Sequence, residues 1–189
     1  MSEYTGFSQE LEPHLITQSQ SGDVDAMESI YRMYSAPCFH LAYRITNNQV
    51  AAQDIVHEVF IKVISKIDKY KGTGPFAGWI RQIAVNESVD YLRKNSKLQD
   101  CLEIADNFPS TGLFESRWWD ACKDLEKLTA RLSDDARAVL FLHELEGYSH
   151  KEIGRLFGKS ESFSKQSLSR ALNQLKNMNA IKEIKNASL

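Results

Sequence analysis

The chain has 189 residues, of which 42% are hydrophobic and 25% charged, with four prolines, nine glycines and a formal net charge of −2. That length supplies one ordinary domain or two small ones, and sparse strand-like runs beside many helically spaced ones predict an all-α protein. Cys38, Cys101 and Cys122 are odd in number and lack metal-pair spacing, which argues against a disulfide framework or a zinc site. No window approaches the roughly 20 apolar residues needed to span a bilayer, and the first residues have no basic segment leading into an apolar core, so a cytoplasmic protein without membrane insertion is expected.

The small net charge hides an alternation. Residues 1–60, 61–97, 98–146 and 147–189 carry −6, +5, −6 and +5. Two basic stations separated by acidic ones suit two separate holds on a polyanion, with the acidic blocks free to face a basic protein.

Residues 1–13 are polar and read as a flexible tail. Leu15 and Ile16 open a short amphipathic helix ending near Gly22, and Asp23 is placed to cap the next. That helix, from Val24 to about Ile45, turns Ala26, Ile30, Met33, Tyr34, Leu41 and Ile45 toward a core, with Pro37 as an expected kink or break. Asn47-Asn48 is a turn. From Asp54 to Ile67 the residues Ile55, Val56, Val59, Phe60, Val63, Ile64 and Ile67 form a wide apolar stripe, leaving Asp54, His57 and Glu58 on other faces. Two glycines and a proline between Lys69 and Pro75 then force a loop. Helical spacing resumes with Trp79, Ile80, Ile83, Ala84, Val89 and Leu92, while Arg81, Asn86, Asp90, Arg93 and Lys94 lie opposite. Trp79 sits in register with Ile80 and Ile83, which favours a core role for it.

Periodicity fades over 97–116, an acidic stretch containing Pro109 and Gly112, which reads as a flexible linker. The first helical domain is therefore expected at 14–96 and a second at 117–178, with 179–189 as a tail. In the second, Trp118, Ala121, Cys122, Leu125 and Leu128 recover helical spacing, and Ser133-Asp134-Asp135 opens a helix with Ala136, Val139, Leu140, Leu142 and Leu145. Ser149 and Glu152 have capping-box spacing for a short helix that stops at Gly158. Ser160 caps a longer one, with Phe163, Leu168, Leu172 and Leu175 inward and Lys165, Gln166, Ser169, Arg170 and Asn173 outward. A capped short helix, a glycine turn and a longer helix with a polar, partly basic face form a helix-turn-helix pattern, whose second helix can enter a major groove.

Four runs in order, GDVDAMESIYRMY (22–34), AAQDIVHEVFIKV (51–63), FAGWIRQIAVNESVDYLRK (76–94) and RLSDDARAVLFLHELEGYSHKEIGRLFGKSES (131–162), resemble the extracytoplasmic-function sigma factors of bacterial RNA polymerase. The resemblance implies that the first domain docks on the polymerase beta-prime clamp helices through Asp54, His57 and Glu58. It further implies that Lys69, Tyr70, Lys71, Phe76, Arg81, Asn86, Arg93 and Lys94 serve the minus-ten promoter element, Tyr70 or Phe76 receiving an unstacked base. The second domain would meet the beta flap and read the minus-thirty-five element with Ser149, Lys151, Ser160, Ser162, Lys165, Gln166, Ser169 and Arg170. Core polymerase, promoter DNA and an anti-sigma factor are the implied partners.

The chain departs from the family pattern at the recognition helix, where Ser162-Phe163-Ser164-Lys165-Gln166-Ser167 lacks one expected cation, and at Gly154, where alanine is commoner. His14, His40, His57, His143 and His150 are scattered without paired carboxylates or cysteines, so no catalytic residue, metal or cofactor is expected. Two other readings fit the residues less fully: a helix-turn-helix regulator that never meets polymerase, and a helical module that only clasps a protein. Neither needs an aromatic-basic loop ahead of Trp79.

Overall fold

The computed structural model describes residues 6–99 and 129–186, which are helical with no strand among them. They fall into two compact units divided between Tyr91 and Leu92. Of the linker expected at 97–116, residues 97–99 are helical; residues 100–116, Cys101, Cys122 and the tryptophan-bearing helix expected from Arg117 lie outside the described residues.

In the first unit α1 (Pro13–Gln20), α2 (Val24–Thr46) and α3 (Gln49–Lys66) follow one another through short turns, and α4 (Phe76–Gln99), which belongs to this unit as far as Tyr91, follows a one-turn 3-10 segment, Ile67–Lys69, and a loop. Local chemistry sets the boundaries. The Asp23 carboxylate accepts from the Ala26 backbone N–H at 2.9 Å and starts α2, and Asn47 at φ 51 ends it. Asn48 starts α3 by accepting from Ala51 N at 3.0 Å. Ile30, Tyr34, Cys38, Phe39, Leu41, Ala42 and Ile45 of α2 meet Ala52, Ile55, Val59, Phe60 and Val63 of α3 and Ile80, Ala84, Val85 and Val89 of α4 in one buried set. Lys62 on α3 bonds Glu87 on α4 at 2.5 Å. Burial pushes the Cys38 thiol far above its ordinary range.

Three expectations are corrected here. Pro37 does not break the helix: α2 runs through it from Val24 to Thr46. The proline removes the donor that would reach the Met33 carbonyl, but buried apolar residues on both sides hold the turns in place. Ile64, read as part of the buried stripe, is 57% exposed, so that stripe is narrower than its sequence suggests. The segment before α1 is packed from Gly6 onward. Leu11 is buried, Phe7 stacks on Tyr34 at 6.3 Å, and the Tyr34 hydroxyl donates to the Gln9 carbonyl at 3.0 Å. Burial first, then the neighbouring Tyr70, Cys38 and Glu10, pushes the Tyr34 phenol up to about 12.

The second unit contains α5 (Asp134–Glu144), α6 (His150–Phe157) and α7 (Glu161–Asn186), so α7 runs beyond residue 178. Ser133 caps α5, accepting from Ala136 N at 3.4 Å. Ser149 and Glu152 make the capping box of α6: Ser149 N–H donates to Glu152 Oε2 at 2.9 Å and Glu152 N–H to Ser149 Oγ at 3.3 Å. The Ser149 hydroxyl also donates to Glu152 Oε2, at 2.6 Å, and this bond first, then that from the Ser149 backbone N–H, holds the Glu152 carboxyl below the usual range. Gly158 at φ 62 ends α6, a conformation that suits a residue without Cβ. Val139, Leu142, Ile153, Phe157, Leu168 and Ala171 form the core.

The inner face of α7 differs from the expected one. Leu172 is 46% exposed, and the buried positions are Ser164, Ser167, Leu168 and Ala171, with Phe163 and Leu175 half-buried. Small serines let α7 approach α6 closely, and Ser164 Oγ lies 3.0 Å from His150 Nδ1. Leu145, also expected inside, is 55% exposed at the end of α5. No helix among the described residues is long and apolar enough to cross a membrane.

Candidate functional site

Three exposed surfaces gather the candidate residues. The first is a face of α3. Asp54, His57 and Glu58 are all exposed, and helical spacing aligns them with Val50, Ile61 and Ile64, which are 67%, 59% and 57% exposed. Acids interleaved with large aliphatic side chains make a strip suited to an apolar, basic protein partner. Ile64 was not legible as a surface residue because hydrophobic spacing alone places it with the core, whereas Ile61 falls outside that stripe.

The second surface lies where the 3-10 turn passes into α4. Lys69, Tyr70, Lys71, Thr73, Gly74, Pro75, Gly78 and Trp79 line a groove of about 360 Å³. Tyr70 and Trp79 are half-buried walls, their ring centroids 5.4 Å apart. The Tyr70 hydroxyl donates to the Gly74 carbonyl, which closes the loop on itself. Exposed Lys69 and Lys71 and the amino end of α4 make the rim electropositive. A flat, polarisable group flanked by phosphates fits this chemistry: the rings offer stacking surface and the cations balance charge.

Two aromatic assignments change. Phe76 is 5% exposed and packs edge-on to Tyr34 and Tyr70, at 6.1 and 5.0 Å, so it lies buried behind the residues that line the groove and cannot receive a base. Trp79, expected in the core, is the second wall. The loop-to-helix angle decides which of three rings faces outward, and spacing carries no record of that angle.

The other residues assigned to the minus-ten element spread along α4. Asn86 is half-buried two turns beyond Trp79 on the same side, its Oδ1 accepting from Gln82 Nε2 at 3.2 Å. Arg93 and Lys94 are exposed roughly 20 Å farther along the axis, at 1.5 Å per residue. Half-buried Arg81 lies about 200° around the helix from Trp79, away from the groove.

The third surface is the outer face of α7, where Ser162, Lys165, Gln166, Ser169 and Arg170 are exposed at helical spacing. Lys151 is exposed on α6. Ser149 and Ser160 are exposed too, but each already caps a helix, Ser160 Oγ accepting from Phe163 N–H at 3.3 Å. Lys165 pairs with Glu161 at 2.6 Å and holds that carboxyl below its usual range. The turn before α7 is anchored by Lys159, which reaches Asp135 at 2.7 Å and lies 4.0 Å from the Phe163 ring centroid. Behind the face, the stacked imidazoles of His143 and His150, 4.2 Å apart, join the end of α5 to the start of α6.

Comparison with known proteins yields two family models in the same order as the two units. The model described as sigma-70 region 2 matches residues 30–98, and that described as sigma-70 region 4 matches residues 122–175. The chain is 30% identical over 156 residues to the ECF RNA polymerase sigma-E factor of Escherichia coli, covering 75% of this chain and 80% of that one. It is 29% identical over 167 residues to the ECF RNA polymerase sigma factor SigE of Mycolicibacterium smegmatis, covering 82% of this chain but 63% of the relative's length. Among solved structures, the sigma factor RpoE of Bartonella quintana, bound to the anti-sigma factor NepR, shares the fold with a TM-score of 0.54. Identity there is 20%, with 84% of this chain and 99% of that chain covered.

Proposed function

The chain belongs to the extracytoplasmic-function sigma factors of the sigma-70 family, and on that premise we propose that it binds core RNA polymerase, selects promoters and helps separate the DNA strands. Catalysis then resides in the polymerase, and this chain works by binding in the cytoplasm. Asp54, His57 and Glu58, with Ile61 and Ile64, form the polymerase-docking strip of α3: carboxylates for basic side chains of a partner coil, aliphatics for its apolar seam. The Tyr70–Trp79 groove holds a base turned out of the minus-ten element while Lys69 and Lys71 neutralise flanking phosphates; Asn86, Arg93 and Lys94 follow the strand along α4. In the second domain α7 enters the major groove of the minus-thirty-five element, with Lys165, Gln166 and Ser169 at base edges and Arg170 and Lys151 at phosphates.

The observation that carries this reading is the groove of about 360 Å³ lined by the touching rings of Tyr70 and Trp79 and rimmed by lysines. A duplex-only regulator has no use for a pocket that accommodates a single flat base. The exposed aliphatics of α3 likewise favour a protein partner over a solvated face. Because RpoE of B. quintana is held by an anti-sigma factor, the same kind of regulator is proposed to mask these surfaces here.

The test is run-off transcription with purified core polymerase on a randomised promoter pool. Enrichment of templates sharing two sequence elements supports the proposal. Transcripts that depend on core polymerase alone, with no template enriched, refute it.

A further inference from the structure

We infer that Gln20, on α1 and outside the groove lining, is a positioning residue for strand capture. The inference rests on the groove being the site where a separated base is held. Gln20 Nε2 lies 2.9 Å from the Ile67 carbonyl oxygen and 2.9 Å from that of Tyr70. A side-chain amide has two N–H donors, so one nitrogen serves both acceptors at once. Those carbonyls bracket the 3-10 turn that delivers the chain into the loop, and Tyr70 N–H itself donates to Ile67 O at 3.1 Å. Gln20 therefore fixes the backbone pivot from which the Tyr70 ring projects between Phe76 and Trp79.

The anchor point is itself held. Directly after Gln20, Ser21 N–H bonds back to Thr17 O at 3.1 Å and Gln18 O at 3.0 Å, closing α1, and α1 packs against α2 and the 3-10 turn. A second link reaches the groove from the same end of the chain by a different route. Phe7 stacks on Tyr34, and Tyr34 meets Phe76, which packs against both Tyr70 and Trp79. Residues 6–20 thus brace both the loop backbone and the ring behind the groove lining, although they precede the residues matched by the sigma-70 region 2 model. Gln20 is exposed and contributes little to the core, so its loss should loosen the loop without unfolding the domain.

The test uses holoenzyme assembled from core polymerase and the full chain, on a duplex template selected by the wild type from a randomised pool. Gln20→Glu and Gln20→Leu remove the donors; Gln20→Lys keeps donors on a longer arm. Strand opening is read by permanganate reactivity of unpaired thymines, and loop order by amide exchange at 68–76. Affinity for core polymerase and melting temperature are measured alongside. The donor-less variants are expected to open template about tenfold less, consistent with losing one part-buried and one exposed hydrogen bond, and to exchange faster at 68–76 with core affinity and melting unchanged. Gln20→Lys should recover part of both readouts. Wild-type opening and exchange in Gln20→Glu overturn the inference, as does a loss matched by lowered core affinity or melting. If the wild type opens no template, the groove reading fails first and the inference falls with it.

Discussion

Gly154→Ala should destabilise the second domain even though alanine is the better helix former. Gly154 is buried in α6, and a Cβ there would stand 3.0 Å from Lys159 O, Ser160 C and Ser160 O. Carbon contacts are comfortable at about 3.5–4.0 Å, so the turn backbone would have to retreat by about 0.5 Å. That turn is tied by Lys159 N–H to Gly154 O at 2.8 Å and Gly158 N–H to Arg155 O at 3.1 Å, and it carries the Ser160 cap of α7. Overpacking of this kind costs about 1–3 kcal/mol, against a propensity gain of at most about 1 kcal/mol. The net expectation is a loss of about 1 kcal/mol, or a fall of roughly 4–8 °C in the domain's Tm. Gly78→Ala is the control: it lies in the first turn of α4 with no heavy atom within 4 Å of the added Cβ, so it should be neutral or stabilising. Calorimetry on the full chain, with amide exchange in α5–α7 to assign the transition, makes the comparison. A Gly154→Ala protein as stable as the wild type, or both substitutions shifting Tm the same way, would refute the reasoning.

Acid should weaken the fold. Burial, then Arg44, lowers the His40 imidazole to about 4, and partial burial with His143 and Lys165 lowers His150, the latter opposed by Glu161 and Glu144. For groups held below their ordinary value near 6.5 the unfolded chain takes up the proton first, so stability is present above about pH 6.5 and lost as pH falls toward 4. Tm measured from pH 7.5 to 4.5 should decline, and a rise on acidification contradicts the assignment. Replacing Lys165 and Arg170 with alanine should weaken duplex binding and reduce the slope of log K against log salt by about 1, the share of the Arg170 phosphate contact; an unchanged slope removes α7 from DNA. Trp79→Ala should reduce strand opening by roughly 10–100-fold with duplex binding by the second domain retained, as expected for one lost stacking surface. Unaltered opening would discard the groove.

Features decided by a few adjacent residues were legible in the chain itself. The caps at Asp23, Ser133, Ser149-Glu152 and Ser160 each depend on one side chain reaching a backbone group within four residues, and the stop at Gly158 on a residue without Cβ taking a positive φ. The order of helices followed from apolar spacing. Orientation around a helix was less secure, because neighbouring aliphatics such as Val63 and Ile64 both fit a wide stripe while only one is buried. Leu145 and Leu172 failed for the same reason. Phe7 and Leu11 do sit four apart, a signal for the packed amino-terminal segment that polar neighbours obscured. Gln20 left no such trace, since its partners are backbone carbonyls 47 and 50 residues away. At Gly154 propensity suggested a cost without a reason, and the reason is the close approach of the turn.

The central claim is that the exposed strip of α3 grips core RNA polymerase, and equilibrium binding of labelled protein to purified core polymerase tests it most directly. The wild type should bind with Asp54→Lys/Glu58→Lys weaker by about 1,000-fold, two reversed charges each costing about 2 kcal/mol, while both proteins melt alike. Equal affinities would take the strip out of the interface. No binding by the reduced, inhibitor-free wild type at any salt concentration would contradict the account as a whole.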